Sequence, residues 1–182
     1  MAWTAPMTAV TGSVLTANQW NTHVRDNLLE LGAAKAISSG QLIVSTGANA
    51  VAARTPATQA VQATEQTTSV TYTDLTTFGP TVTCDTGSAA MVFVAATIAS
   101  STVAGYVQAG YEVSGATSLS APAGPIINFR CDVAAANQQF RISAIDFNAG
   151  LTPGSNTFTM KYSVSTGNTG SFATRSILVV PF

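Results

Sequence analysis

Apolar residues recur at helical spacing near the front of the chain and alternate with polar ones after residue 68. In TANQWNTHVRDNLLELG, Thr16 to Gly32, the residues Trp20, Val24, Leu28 and Leu31 fall at steps of four, four and three. They share one face of a 3.6-residue spiral. Thr16 followed by Gln19 is a capping-box pattern, and Gly32 supplies a left-handed stop. Asn21, Arg25 and Asp26 lie on the opposite face. A helix this short is marginal alone in water, so its stripe needs something to pack against. Everything beyond Pro56 reads as sheet, which gives the helix no obvious home in its own chain. The expectation is that it packs on copies of itself or on another protein.

Ahead of the helix, Met1–Ser13 reads as an extended arm broken by Pro6 and Gly12. Its Trp3 either hooks into another subunit or folds back on the helix. Behind it, Ala33–Ser39 is a short connection and GQLIVSTGANAVAAR, Gly40 to Arg54, is a small hairpin turning at Thr46–Asn49. The hairpin has too little apolar area to be stable by itself. These elements make residues 1–54 an anchoring and assembly segment. Thr55–Thr68, rich in Ala, Thr and Gln, reads as a linker or neck.

Residues 69–182 have a different texture. Eight strands are expected: Ser69–Leu75, Pro80–Cys84, Ala89–Ala99, Gly105–Val113, Ile126–Val133, Gln138–Phe147, Asn156–Ser165 and Ser171–Val180. Gly- and Pro-bearing turns separate most of them. Phe158, Met160, Tyr162 and Val164 alternate with Thr159, Lys161 and Ser163, the pattern of a strand buried on one face. Strands at this spacing without a βαβ rhythm predict an antiparallel two-sheet β-sandwich of the jelly-roll kind. The last strand, SILVVPF, is apolar on both faces. That suits a central strand, or one whose outer face meets a neighbouring subunit.

Composition sharpens this reading. Only 8% of the 182 residues are charged, against about 25% in an ordinary soluble domain. A surface of Thr, Ser, Ala, Gly and Asn fits a protein covered by neighbours in an assembly; a secreted monomer with a Ser/Thr surface is the other reading. The formal net charge is -1 and no basic stripe exists, so the footprint of a nucleic-acid binder is absent. No run approaches a membrane span. The start lacks the basic region and continuous apolar core of a secretory signal.

Candidate chemistry is sparse. The one histidine, His23, sits on the packing helix, a poor place for a catalytic set. Cys84 and Cys131 lie far apart, with no metal-ligand spacing around them, and read as reduced, buried small hydrophobes that pair only if their strands are neighbours. Asp85 and Asp132 each follow one of these cysteines, which chance explains. Of the sheet carboxylates Asp74, Asp85, Glu112, Asp132 and Asp146, only Asp146 sits beside an aromatic at a strand end, thin support for a glycosidase pair. No phosphate-binding glycine loop occurs. Tyr72, Tyr106, Tyr111 and Tyr162 could face a sugar, although strand aromatics more often fill cores. No enzyme, cofactor or metal is expected.

The opening, AWTAPMTAVTGSVLTANQWNTHVRDNLLEL, resembles the N-terminal segment of many tailed-bacteriophage virion proteins, especially those of phages of actinobacteria. The matching positions are Trp3, Pro6, Gly12, Leu15, Thr16, Ala17, Asn21, Val24, Asp26, Asn27 and Leu28. GQLIVSTGANAVAAR looks like the hairpin of phage tail and fibre proteins, with Gln41 where Asp is usual. LTPGSNTFTMKYSVSTGNTGSFATRSILVVP is similar to the closing hairpin of terminal sandwich domains in such proteins. The resemblance implies a homotrimeric structural protein on the virion surface, assembled in the host cytoplasm, that decorates the capsid as a cement or head-fibre protein. Trp3, Trp20, Val24, Leu28 and Leu31 would anchor it to sister subunits, the major capsid protein or other virion proteins. The alternative is a small tail-fibre or baseplate (minor tail) protein whose sandwich binds a host-surface carbohydrate. Neither reading involves nucleic acid or membrane.

Overall fold

Thr16 opens the helix as its spacing to Gln19 predicts. The Gln19 amide donates to Thr16 Oγ1 at 3.2 Å, and the Thr16 amide donates back to Gln19 Oε1 at 2.9 Å. In the computed structural model, which describes residues 4–8, 10–124, 127–130 and 138–182, the helix runs as α1 (Ala17–Trp20), a π-helical turn (Asn21–Arg25) and α2 (Asp26–Leu28). Gly32 is not its stop. Leu29, still right-handed, ends α2. The chain leaves through tight bonds from the Glu30 amide to Asn27 O and from the Leu31 amide to Leu28 O. An extended Leu31 then starts α3 (Gly32–Lys35).

The expected hairpin is present. Strands β1 (Leu42–Gly47) and β2 (Ala50–Arg54) pair antiparallel, and the turn residue Asn49 takes a positive φ of 55°. Helix and hairpin belong to one compact unit, Met1–Thr55 with Phe182; Pro56–Pro181 forms the other.

The second unit is the antiparallel sandwich. One sheet has the order β5-β10-β7-β8, from β5 (Thr81–Thr86), β7 (Tyr106–Gly115), β8 (Ile127–Arg130) and β10 (Gly154–Val164). The other has the order β3-β11-β6-β9, from β3 (Ala57–Val61), β6 (Ala90–Ser100), β9 (Phe140–Asn148) and β11 (Gly170–Pro181), with β4 (Glu65–Thr67) also paired to β11. The chain crosses repeatedly from one sheet to the other. This puts the alternating apolar sets face to face: Val92, Val94 and Ile98 of β6 and Ile177 and Val179 of β11 against Val107, Tyr111, Phe158, Met160 and Tyr162. Burying such a set is the main force holding a sandwich together, at about 1.5–3 kcal/mol for each large side chain.

Two expected boundaries are corrected. Thr55–Thr68 is not a neck, because β3 and β4 add to β11 through main-chain pairing. Their side chains are small or polar and mostly face out, so no alternation marks them as strand. Ser69–Leu75 is not a strand. Only Thr73 bridges to Tyr162. Ser69 Oγ instead donates to Thr71 O at 2.7 Å, a local bond that competes with ladder formation.

Candidate functional site

The helix buries a polar residue and exposes the apolar ones. Asn27 is the buried side chain of α2. Its Oδ1 accepts from the Thr4 amide, and its Nδ2 donates to Thr4 O, both at 2.9 Å. One turn earlier on the same face, His23 Nδ1 lies 3.1 Å from Ala5 O. The arm is therefore clipped to the helix as a strand is clipped to a sheet, with an amide side chain standing in for backbone. This gives the one histidine a structural task.

The predicted anchoring residues stand outside that clip. Trp20, Leu28 and Leu31 are 54%, 56% and 45% exposed, and Val24 is half-buried. The π turn lays one residue more per turn than an α-helix, so the faces before and after it are offset. Leu29, also exposed, widens the stripe on the later side. Trp3 lies outside the described residues.

The two outer faces of the sandwich differ in chemistry. On the four-stranded sheet the outer face is polar. Thr81 and Thr159 share a hydroxyl bond of 2.8 Å, Thr83 and Thr157 one of 2.7 Å, and Ser163 donates to Gln108 at 3.2 Å. Lys161 joins Asp74 at 2.8 Å and Glu112 at 3.0 Å. Burial works against its charge, but the two carboxylates outweigh it and hold the ammonium above its ordinary range. On the five-stranded sheet the outer face carries Met91, Phe93 and Ala95 of β6, Leu178 and Val180 of β11, and Ile145 and Phe147 of β9. The closing strand is thus both central and apolar outside.

Among the described residues, each acidic candidate on the sheets has its own setting. Asp74 and Glu112 are tied to one lysine. Asp85 is exposed on β5. Asp146 points between the sheets, where it accepts a bond from Tyr111 Oη; burial and this bond push the phenol well above its ordinary range. Among the described residues no three His, Cys, Asp or Glu side chains cluster as metal ligands. Cys84 is half-buried on β5, packed against the core; Cys131 and Asp132 lie outside the described residues. Of the tyrosines, Tyr111 and Tyr162 are core, and Tyr106 is exposed beneath the Arg130 guanidinium.

The sequence matches no family model, and comparison with curated proteins gives no match. Among solved structures, the crystal structure of the infectious bursal disease virus VP2 subviral particle is similar with a TM-score of 0.41 and 11% identity. The match covers 76% of this chain and 36% of that one, so the chain spans about a third of its length. A likeness this loose carries no argument about role.

Several residues that organise the fold gave no signal in the sequence. Buried Asn156 holds the Thr117 amide at 2.7 Å and Thr86 Oγ1 at 2.8 Å. Buried Asn168 gathers Ser100 and Thr102, each at 3.0 Å, and reaches Tyr106 O at 3.0 Å. Arg175, fully buried on β11, follows a register shift that turns it inward. There Nη1 donates to Thr77 O and Gly79 O, both at 3.3 Å, Nη2 lies 3.6 Å from Glu65, and the guanidinium sits over the Tyr162 ring.

Proposed function

We propose that this chain is a structural protein of a tailed-phage virion, built to assemble rather than to catalyse. Its N-terminal unit grips sister copies and the particle; its sandwich is the displayed part. The observation that carries the reading is the uncovered stripe of Trp20 and Leu28, continued by Leu29 and Leu31 in the turn that follows, on a helix whose inner face is already occupied by the arm. Burying Trp20 and Leu28 would contribute roughly 3–6 kcal/mol per chain, enough to drive association when three chains bring stripes together. The low charge of the whole sequence and the resemblance of its opening to phage virion proteins point the same way. Within the virion, the reading is a trimer that decorates the capsid.

The test is binding to purified tailless capsids, alongside sedimentation of the free protein. The wild type should sediment as a trimer and label capsids. The double variant Trp20→Gln, Leu28→Gln should do neither while keeping its sheet signal in circular dichroism. A double variant that assembles and labels normally would remove the stripe as anchor. Wild-type protein that ignores capsids but binds cell-wall glycans would favour the tail-fibre reading.

A further inference from the structure

We infer that the outer face of the five-stranded sheet is a second self-association surface, covered by the matching face of other copies of this chain. It rests on the self-assembling reading above, but on a different surface from the helix stripe. The observation is the asymmetry between the two outer faces. Both belong to one sandwich in a chain with few charges, yet hydroxyls, Gln108 and the Lys161 cluster line one face, whereas the other gathers its aliphatic and aromatic side chains into one patch and keeps Ser143, Ser176, the Thr97–Thr174 hydroxyl pair and Arg141 beyond it. Composition alone would not sort them.

The size of the patch fits such a contact. Ile145 and Phe147 are 61% and 59% exposed, and five half-buried apolar neighbours adjoin them through the register Met91↔Phe147 and Phe93↔Ile145 on β9, and Leu178↔Phe93 and Val180↔Met91 on β11. Taking an aromatic side chain at about 200 Å², the open apolar area is on the order of 400 Å². A standard interface of about 800 Å² per partner is a little over half apolar and therefore needs roughly 450 Å². Patches of this size on a sheet face are often functional.

Charge selects the occupant. The seven side chains are all uncharged. The nearest cation on the face, Arg141, is turned onto β11, where Nη1 donates to Thr174 O at 2.6 Å and Thr174 Oγ1 at 2.9 Å. A foreign partner is steered and chosen by complementary charge. When a face meets its own copy, like meets like, and any net charge opposes the contact. A neutral apolar patch with the neighbouring Arg141 drawn aside is what sister copies need.

The experiment is a charge swap read by sedimentation of the full chain. Ile145→Lys and Ile145→Glu, each alone, should place like charges against one another and weaken association at least 100-fold. Mixed in equal amounts, the two should recover it. Phe147→Lys and Phe147→Glu form a second pair should the first fail to fold by circular dichroism. Wild-type-like association of the variants would overturn the inference. So would dissociation that mixing does not reverse, since the face would then be covered by a different surface, whether another protein or this chain's N-terminal unit. The Trp20, Leu28 variant separates this outcome from failure of the anchoring reading: it should lose the trimer and capsid labelling yet still pair through the sheet face that the Ile145 swap controls.

Discussion

Arg175 and Glu65 make an unequal pair, and the inequality predicts which substitution hurts. The Arg175 side chain is 0% exposed, whereas Glu65 is 16% exposed. Removing the negative charge with Glu65→Gln leaves a guanidinium that cannot reach water, with Nε and Nη2 lacking hydrogen bonds. Breaking a buried pair in this way typically costs 3–5 kcal/mol. Here the bridge is long, at 3.6 Å, and two carbonyls and the Tyr162 ring still support the cation. The expected cost is therefore about 2–4 kcal/mol. Arg175→Met removes the cation itself and leaves Glu65 able to turn to solvent while keeping its bonds to Thr77. That variant should lose less, about 1–2 kcal/mol, mostly from the Thr77 carbonyl left unpaired, since Gly79 O keeps its bond from the Tyr162 hydroxyl. The double variant should be no worse than Glu65→Gln alone. Urea unfolding followed by circular dichroism at a sheet wavelength gives the three values. The reasoning is refuted if Arg175→Met proves costlier than Glu65→Gln, or if Glu65→Gln costs under 1 kcal/mol.

Three further outcomes follow from named contacts. Hydrogen bonds from Thr77, followed in weight by Arg175, hold Glu65 below the usual carboxylate range. The stability this supplies is complete above about pH 5, falls away on acidification through that lowered value, and should be missing from the melting-temperature profile of Glu65→Gln. Asn27→Leu unclips the arm and should cost about 1–3 kcal/mol in the N-terminal unit, read as faster proteolysis within residues 4–15. Gly115 has a φ of 103°, and a Cβ there would stand 2.5 Å from Ser155 O, so Gly115→Ala should destabilise by more than about 1 kcal/mol in thermal melts.

Where a single physical rule governs a stretch, its structure was legible. Strict alternation placed Phe158, Met160, Tyr162 and Val164 inside, and the Thr16–Gln19 spacing marked the helix start. The ambiguity of SILVVPF was itself informative, since Ile177 and Val179 go in and Leu178 and Val180 go out. Other features depend on partners distant in sequence. β3 is a strand because β11 offers it an edge, which its own small side chains do not announce. The π turn is set by backbone geometry that the apolar spacing does not encode, so the four-four-three stripe reads as straighter than it is. Asn27 stood out only as a position of the resembling N-terminal segment, and its inward role needs the arm 23 residues away. Arg175 faces the core only because β11 shifts register between Ala173 and Ser176.

The paired threonines of the four-stranded sheet have a consequence for behaviour in different media. Hydroxyls bind water without titrating, and they have no counter-ion cloud for added salt to compress. The part of the face wetted through Thr81, Thr83 and Thr157 should keep its hydration nearly unchanged from dilute buffer to brine, and from mild acid to mild alkali. On the virion reading proposed above, such a surface would present much the same exterior in fresh water, rich broth and a drying film.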